Sequence, residues 1–191
     1  MNVILASQSP RRRELLGLTG LDFIVRVADI DETMDPGLDP CEEVARVSRL
    51  KAMAVARRAE DVVIAADTIV VCEGEVLGKP RNEEDAFRIL SLLSGRSHEV
   101  MTGMTVVRGE EAVTHTEVTK IHFRKLHPEE IRAYIATGEP MDKAGAYGIQ
   151  GGAALFADGM EGDYYNVMGL PVCRLGMILR QMGLPVMGVR V

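Results

Sequence analysis

Val62-Val63-Ile64-Ala65-Ala66-Asp67-Thr68-Ile69-Val70-Val71 is β-rich on both sides of a single acid. Val62 to Ala66 and Thr68 to Cys72 favour extended chain, and Glu73-Gly74-Glu75 supplies a turn. An ionised carboxylate buried here without partners would cost several kcal/mol or shift its pKa upward. Asp67 must therefore meet a cation, a metal or water at the end of a strand, where ligands usually bind in α/β sheets. A structural salt bridge, a catalytic base and a metal ligand all satisfy that demand.

The flanking sequence alternates strands with helices. Val3 to Ala6 reads as a short buried strand, followed by Ser9 as an N-cap and Pro10 at the first helical position. Leu21 to Val27 reads as a second strand. Asp39-Pro40-Cys41-Glu42 opens a helix expected to run to about Ala59, and Asn82 caps one carrying Ala86, Phe87, Ile89, Leu90 and Leu93. Glu99 to Val107 and Ala112 to Phe123, joined at Gly109, read as a long antiparallel hairpin. Pro128 starts a helix that Gly138 ends. A Gly-rich loop over 138–152 leads to a strand through Leu155-Phe156-Ala157, and Pro171 opens a last helix ending near Gly183. The pattern predicts an α/β fold with a mixed sheet. With no repeat, low-complexity tract or linker, the 191 residues read as one domain.

Composition removes several function classes. The chain is 47% hydrophobic, too apolar for disorder, and its 19 Gly and 8 Pro follow no fixed period. No apolar stretch approaches the roughly 18 residues of a membrane span, and Met1-Asn2-Val3-Ile4-Leu5-Ala6 lacks the features of a signal peptide. Cys41, Cys72 and Cys173, odd in number and far apart, fit reduced cytosolic thiols. A net charge of −6, with four Tyr, four Phe and no Trp, argues against nucleic-acid binding.

The charge is unevenly spread. Residues 27–45 carry seven acids and no base, and residues 46–58 carry five bases and no acid. Ahead of both stands Arg11-Arg12-Arg13. At about 100° per residue, Arg11 and Arg12 share a side with Leu15 and Leu16, and Arg13 points away. Two guanidiniums at a helix N-terminus oppose its dipole unless an anion joins them, so Arg11 and Arg12, with Ser7 and Ser9 nearby, suggest a phosphate site. On the helix after Asp39, Lys51 sits within the apolar stripe of Val44, Val47, Ala54 and Val55, while Arg46, Arg49 and Arg57 face away as solvated groups. An inward lysine either snorkels or meets a carboxylate or phosphate.

The acidic run Asp29-Ile30-Asp31-Glu32-Thr33-Met34-Asp35 fails as a calcium loop, with Met34 where glycine is needed and Pro40 where glutamate is needed. A few of its carboxylates suffice for Mg²⁺. Walker, dinucleotide, zincin and nucleophile-elbow patterns are absent, and the four histidines read as surface or packing residues. In Glu139-Pro140-Met141-Asp142-Lys143-Ala144-Gly145-Ala146-Tyr147-Gly148-Ile149-Gln150-Gly151, the glycines permit close approach to a ligand. Tyr147 could pack on a flat ring and Gln150 could read a nucleobase edge.

Five segments in this order resemble the Maf family of nucleoside triphosphate pyrophosphatases. They are Leu5-Ala6-Ser7-Gln8-Ser9-Pro10-Arg11-Arg12, Ala65-Ala66-Asp67-Thr68, Leu77-Gly78-Lys79-Pro80, Asp142 through Gly151, and Asn166-Val167-Met168-Gly169-Leu170-Pro171. The resemblance implies an elongated mixed sheet flanked by helices, with a central cleft, in a cytoplasmic homodimer. It implies hydrolysis of a nucleoside triphosphate to monophosphate and pyrophosphate with a divalent cation (Mg²⁺, Mn²⁺ or Co²⁺). By position, Asp67 would be the proton acceptor and, with Glu32, the metal side of the site. Ser7, Arg11, Arg12, Lys51 and Lys79 would hold phosphates, and Arg11, Thr68 and Gln150 would govern substrate choice. The Gly-Ala-Tyr-Gly-Ile-Gln wording looks like the branch acting on dTTP and UTP rather than on methylated GTP. The alternatives are a nucleotide-binding regulator of septum formation without turnover, and a phosphohydrolase removing the terminal phosphate.

Overall fold

The computed structural model describes residues 1–27, 29–35, 37–55 and 57–189. The opening stretch forms β3 (Val62–Cys72), in which Asp67 and Thr68 alone are not fully buried. Strands β1 (Val3–Leu5) and β2 (Phe23–Val25) precede it, β4 (Glu75–Leu77) pairs with it antiparallel, and β5 (Ser97–Arg108), β6 (Glu111–Phe123) and β7 (Ala157–Glu161) follow. The seven strands form a mixed sheet in the order β2-β1-β3-β5-β6-β7, with β4 on β3. β1 lies parallel to both β2 and β3, pairing Val3 with Phe23 and with Val62, and β6 runs antiparallel to β7. Helices α1 (Pro10–Gly17), α2 (Pro40–Ala54), α3 (Glu83–Leu93), α4 (Pro128–Ile135), α5 (Tyr164–Met168) and α6 (Val172–Gln181) complete the α/β fold. Among the described residues no helix is long and apolar enough to cross a membrane.

Helix starts follow local chemistry. The Ser9 side chain accepts from Arg12 N–H, Asp39 from Cys41 N–H and Asn82 from Asp85 N–H, each satisfying an amide that the helix leaves without a partner. Several boundaries differ from expectation. The second strand spans only Phe23–Val25, and α2 stops at Ala54 rather than near Ala59. The strand expected through Leu155 begins at Ala157, because residues Gly152–Leu155 coil into a 3₁₀ turn and leave Leu155 76% exposed. Helix α5 carries no sequence signal that the periodicity detected.

The chain forms two compact units. One comprises residues 1–67, 102–117 and 169–191, and the other residues 68–101 and 118–168. In the first, Ile4, Ala6, Ala52, Val55, Val63, Ala65 and Val107 form a core cluster. A Cβ at Gly103 would lie 2.2 Å from the Val44 carbonyl oxygen, so the missing side chain lets the α2 backbone rest on β5. The same contact is fixed by Ser48 Oγ, 2.8 Å from Thr105 Oγ1, which lies 3.0 Å from Thr114 Oγ1. In the second unit α3 contributes Ala86, Ile89, Leu90 and Leu93 to the core, and β6 contributes Ile121 and Phe123. Each of the leucine, isoleucine and phenylalanine side chains among them contributes about 1.5–3 kcal/mol when taken from water.

Candidate active site

Site residues of the first unit gather around one ammonium. Lys51 Nζ lies 2.8 Å from Asp67 Oδ1 and 2.8 Å from Glu32 Oε2. Its stem follows the apolar stripe of α2, where Val44, Val47, Ser48 and Ala52 are buried; Ala54, expected in that stripe, is exposed. The Lys51 side chain is 14% exposed and that of Asp67 18%. Charges so placed attract strongly while remaining open to a small ligand. The out-of-place lysine and the out-of-place aspartate thus answer each other.

Arg12 reaches the same charges from α1. Its Nε donates to the Gly169 carbonyl oxygen at 2.8 Å and its Nη1 to Ser7 Oγ at 3.3 Å. Burial, aided by the like charge of Arg11, lowers the Arg12 pKa, and Asp67 and Glu32 oppose the shift. Arg11 is half-buried as Arg12 is, while Arg13 is exposed. Ser7 is buried, and its Oγ also accepts from the Ser9 N–H at 3.2 Å.

Glu32 stands on a loop, with its position set by a pair that the sequence reading missed. Glu43, 1% exposed, accepts from Arg46 Nε at 2.8 Å and Nη2 at 2.6 Å, and from the Asp35 N–H at 3.3 Å. Arg46 Nη2 also donates to the Thr33 carbonyl oxygen at 2.9 Å. The pair ties residues 33 and 35, just beyond Glu32, to the helix carrying Lys51. Hydrogen bonds from Arg46 hold the Glu43 pKa below its ordinary value against burial. Arg46 is therefore a structural partner and not the solvated group expected. An acid three residues before an arginine on one helix was the available signal.

The second unit carries Thr68, Lys79 and Gln150. Thr68 is half-buried, and Lys79 and Gln150 are exposed. The Gly-rich segment differs from expectation in a specific way. Its glycines make room for the protein's own side chains: a Cβ at Gly145 would lie 2.8 Å from Val70 Cγ2, at Gly148 2.9 Å from Lys143 Cε, and at Gly151 2.0 Å from Glu139 Oε1. Tyr147 is not a platform for a base. It is 6% exposed, packs edge-on against Phe123 and places its hydroxyl 2.9 Å from His98 Nε2. A cavity of about 190 Å³ lined by Val71, Glu73, Gly74, Ser97, His98, Glu99 and Lys120 contains none of the predicted site residues.

Among the described residues no group of three or more His, Cys, Asp or Glu is arranged to hold a metal. Glu32 and Asp67, both bonded to one nitrogen, instead offer two hard carboxylates. That set suits a cation such as Mg²⁺, which takes one or two carboxylates and completes its shell with water and phosphate.

Known proteins resemble this chain over nearly its whole length. A dTTP/UTP pyrophosphatase of Moorella thermoacetica is 52% identical over 190 residues, spanning 97% of both chains. One of Geotalea uraniireducens is 52% identical over 185 residues, spanning 95% of both. A Ham1 protein from Coxiella burnetii shares the fold with a TM-score of 0.51 and 17% identity, covering 95% of this chain and 99% of its own. The family model described as Maf-like protein matches residues 2–182, a span that includes the Ser7–Arg12 turn, Asp67 and the Gly169 carbonyl bonded by Arg12. The chain belongs to the Maf-like protein family.

Proposed function

We propose that the protein hydrolyses nucleoside triphosphates, with dTTP and UTP as substrates, to the monophosphate and pyrophosphate. The observation that carries this reading is Lys51 held at 2.8 Å between Asp67 and Glu32, in a chain half identical to dTTP/UTP pyrophosphatases. Phosphoryl transfer depends on positioning and on charge neutralisation, and this site has the groups for both.

In this mechanism Lys51, Arg11, Arg12 and Lys79 bind the phosphates, with Ser7 as a neutral donor. Asp67 accepts a proton from the water that attacks the α-phosphorus. The bond from that phosphorus to the bridging oxygen breaks, and pyrophosphate leaves with the electron pair. Glu32 and Asp67 would hold a divalent cation (Mg²⁺, Mn²⁺ or Co²⁺), which when bound draws charge from the triphosphate oxygens. Arg11, Thr68 and Gln150 select the substrate. The reading of the 191 residues as one domain rests on the lack of repeats, low-complexity tracts and linkers in the sequence, and the homodimer and the cytoplasmic location rest on resemblance to the family.

The test is product identity. Incubation of dTTP with the protein and each of the three cations should yield dTMP and pyrophosphate. Formation of dTDP and phosphate would indicate a terminal phosphohydrolase. Saturable binding without product would indicate a regulator. Turnover of methylated GTP well above that of dTTP would overturn the pyrimidine assignment.

A further inference from the structure

Gln150 is exposed, yet the backbone on both sides of it is fastened to two side chains from outside its turn. The Tyr134 hydroxyl accepts from the Gly148 N–H at 3.0 Å and donates to Glu139 Oε1 at 2.8 Å. Glu139 Oε2 accepts from the Gly152 N–H at 3.0 Å. Between these anchors the Gly151 N–H donates to the Gly148 carbonyl at 3.0 Å, closing a turn over residues 148–151. Ile149 points into the core at 8% exposure, so the next side chain, Gln150, is turned outward.

The glycines belong to the same device. The Glu139 carboxylate lies against the Cα of Gly151, where a Cβ would come within 2.0 Å of Oε1. At Gly152 a Cβ would lie 3.1 Å from Tyr134 Cδ2. Lys143 Nζ donates to the Glu139 carbonyl oxygen at 2.6 Å, fixing the residue's backbone as well. A carboxylate accepting from both a phenol and an amide makes stronger bonds than a neutral acceptor would.

We propose that Tyr134 and Glu139 are positioning residues for base selection: they fix the turn that presents the Gln150 amide to the imide edge of a uracil or thymine ring. A side-chain amide offers an acceptor to a ring N–H and a donor to the adjacent carbonyl oxygen, the complement of that edge. Holding both flanking amides fixes the point and the direction from which the Gln150 side chain meets the ring. The inference rests on the reading of Gln150 as a selector, and its test separates the two.

Steady-state kcat and KM are measured for UTP and CTP with the full-length wild type and with Gln150→Ala, Glu139→Ala, Glu139→Gln and Tyr134→Phe. Losing the clamp should cut the UTP-to-CTP ratio of kcat/KM by about tenfold in Glu139→Ala, the scale of one or two hydrogen bonds, mostly through the KM for UTP. Glu139→Gln, which can accept one of the two bonds, should restore part of the ratio. A lowered ratio in Gln150→Ala beside an unchanged ratio in Glu139→Ala would overturn the positioning role and leave Gln150 as the selector. An unchanged ratio in Gln150→Ala would overturn both. Should Glu139→Ala fail to fold, Tyr134→Phe decides: it deletes one hydroxyl, and an unchanged ratio there overturns the proposal. Amide exchange at Gly148 should quicken in Tyr134→Phe, and an unchanged rate there would count equally against it.

Discussion

Acidification should weaken the protein through one buried imidazole before most carboxylates titrate. His98 is 2% exposed, its ring packs edge-on against Phe123 at 4.9 Å and Tyr147 at 5.4 Å, and its Nε2 faces the Tyr147 hydroxyl. Among the described residues its Nδ1 has no hydrogen-bond partner. Burial, with a lesser push from His122, lowers its pKa from 6.5 to about 4. Between those values the unfolded chain holds the proton and the native chain does not. Stability is therefore complete above pH 6.5 and declines as the pH falls towards 4. At about 1.4 kcal/mol per unit the whole gap amounts to about 3 kcal/mol, and the part above pH ~4.5 to about 2–3 kcal/mol. Urea unfolding of the wild type and of His98→Gln, followed by circular dichroism at half-unit steps of pH, isolates this group. The wild type's stability relative to the variant should shrink by about 2–3 kcal/mol from pH ~7 to ~4.5. Parallel curves for the two proteins over that interval would refute the reasoning.

Four further outcomes follow from the geometry. Asp67→Asn should lower pyrophosphate release by about 10²-fold or more while Lys51 keeps its contact with Glu32 and the fold persists; near wild-type release would remove the proton-acceptor role. Glu43→Gln should cost about 2 kcal/mol, because a buried acceptor of charged hydrogen bonds is lost. The depressed Glu43 pKa makes that contribution present above the ordinary carboxylate range and lost as the pH falls through the folded value, so equal stability of mutant and wild type at pH ~7 would contradict it. Gly151→Ala should destabilise by about 1–3 kcal/mol, since its Cβ would push the Glu139 carboxylate off its hydrogen bonds to the Tyr134 hydroxyl and the Gly152 N–H. By contrast, Gly17→Ala, whose Cβ would meet nothing within 4 Å in α1, should raise stability by up to about 1 kcal/mol. Thermal unfolding reads both, and the opposite order of the two would refute the packing argument.

Local signals in the sequence located most helix starts, because Ser9, Asp39 and Asn82 each act on an amide two or three residues away. The Lys51–Asp67 pair was legible for a different reason. Each residue interrupts an apolar pattern that would otherwise be complete, and two such interruptions of opposite charge imply partners. Glu32 had no such mark: its loop lacks a period, and its place is set by Glu43 and Arg46 acting on residues 33 and 35. The Gly-rich segment was misjudged because a glycine records that something comes close without recording what. Only coordinates distinguish a ligand from Glu139, Lys143 and Val70. Tyr147 failed likewise, since an aromatic beside glycines looks the same in sequence whether it faces a base or a buried histidine. The start of β7 moved because Gly152–Leu155, a Gly-Ala-Ala-Leu run with little strand preference, coils into a 3₁₀ turn and takes Leu155 out of the expected strand.

The turn at 148–151 separates shape from reading. Its course is set by Tyr134, Glu139 and the absence of side chains on its glycines, none of which depends on what stands at position 150. An exposed side chain on a scaffold fastened from behind is a replaceable part. A single codon change at Gln150 would alter what the turn offers a nucleotide while leaving folding intact, so descendants of one gene could diverge in nucleotide preference without passing through an unstable ancestor.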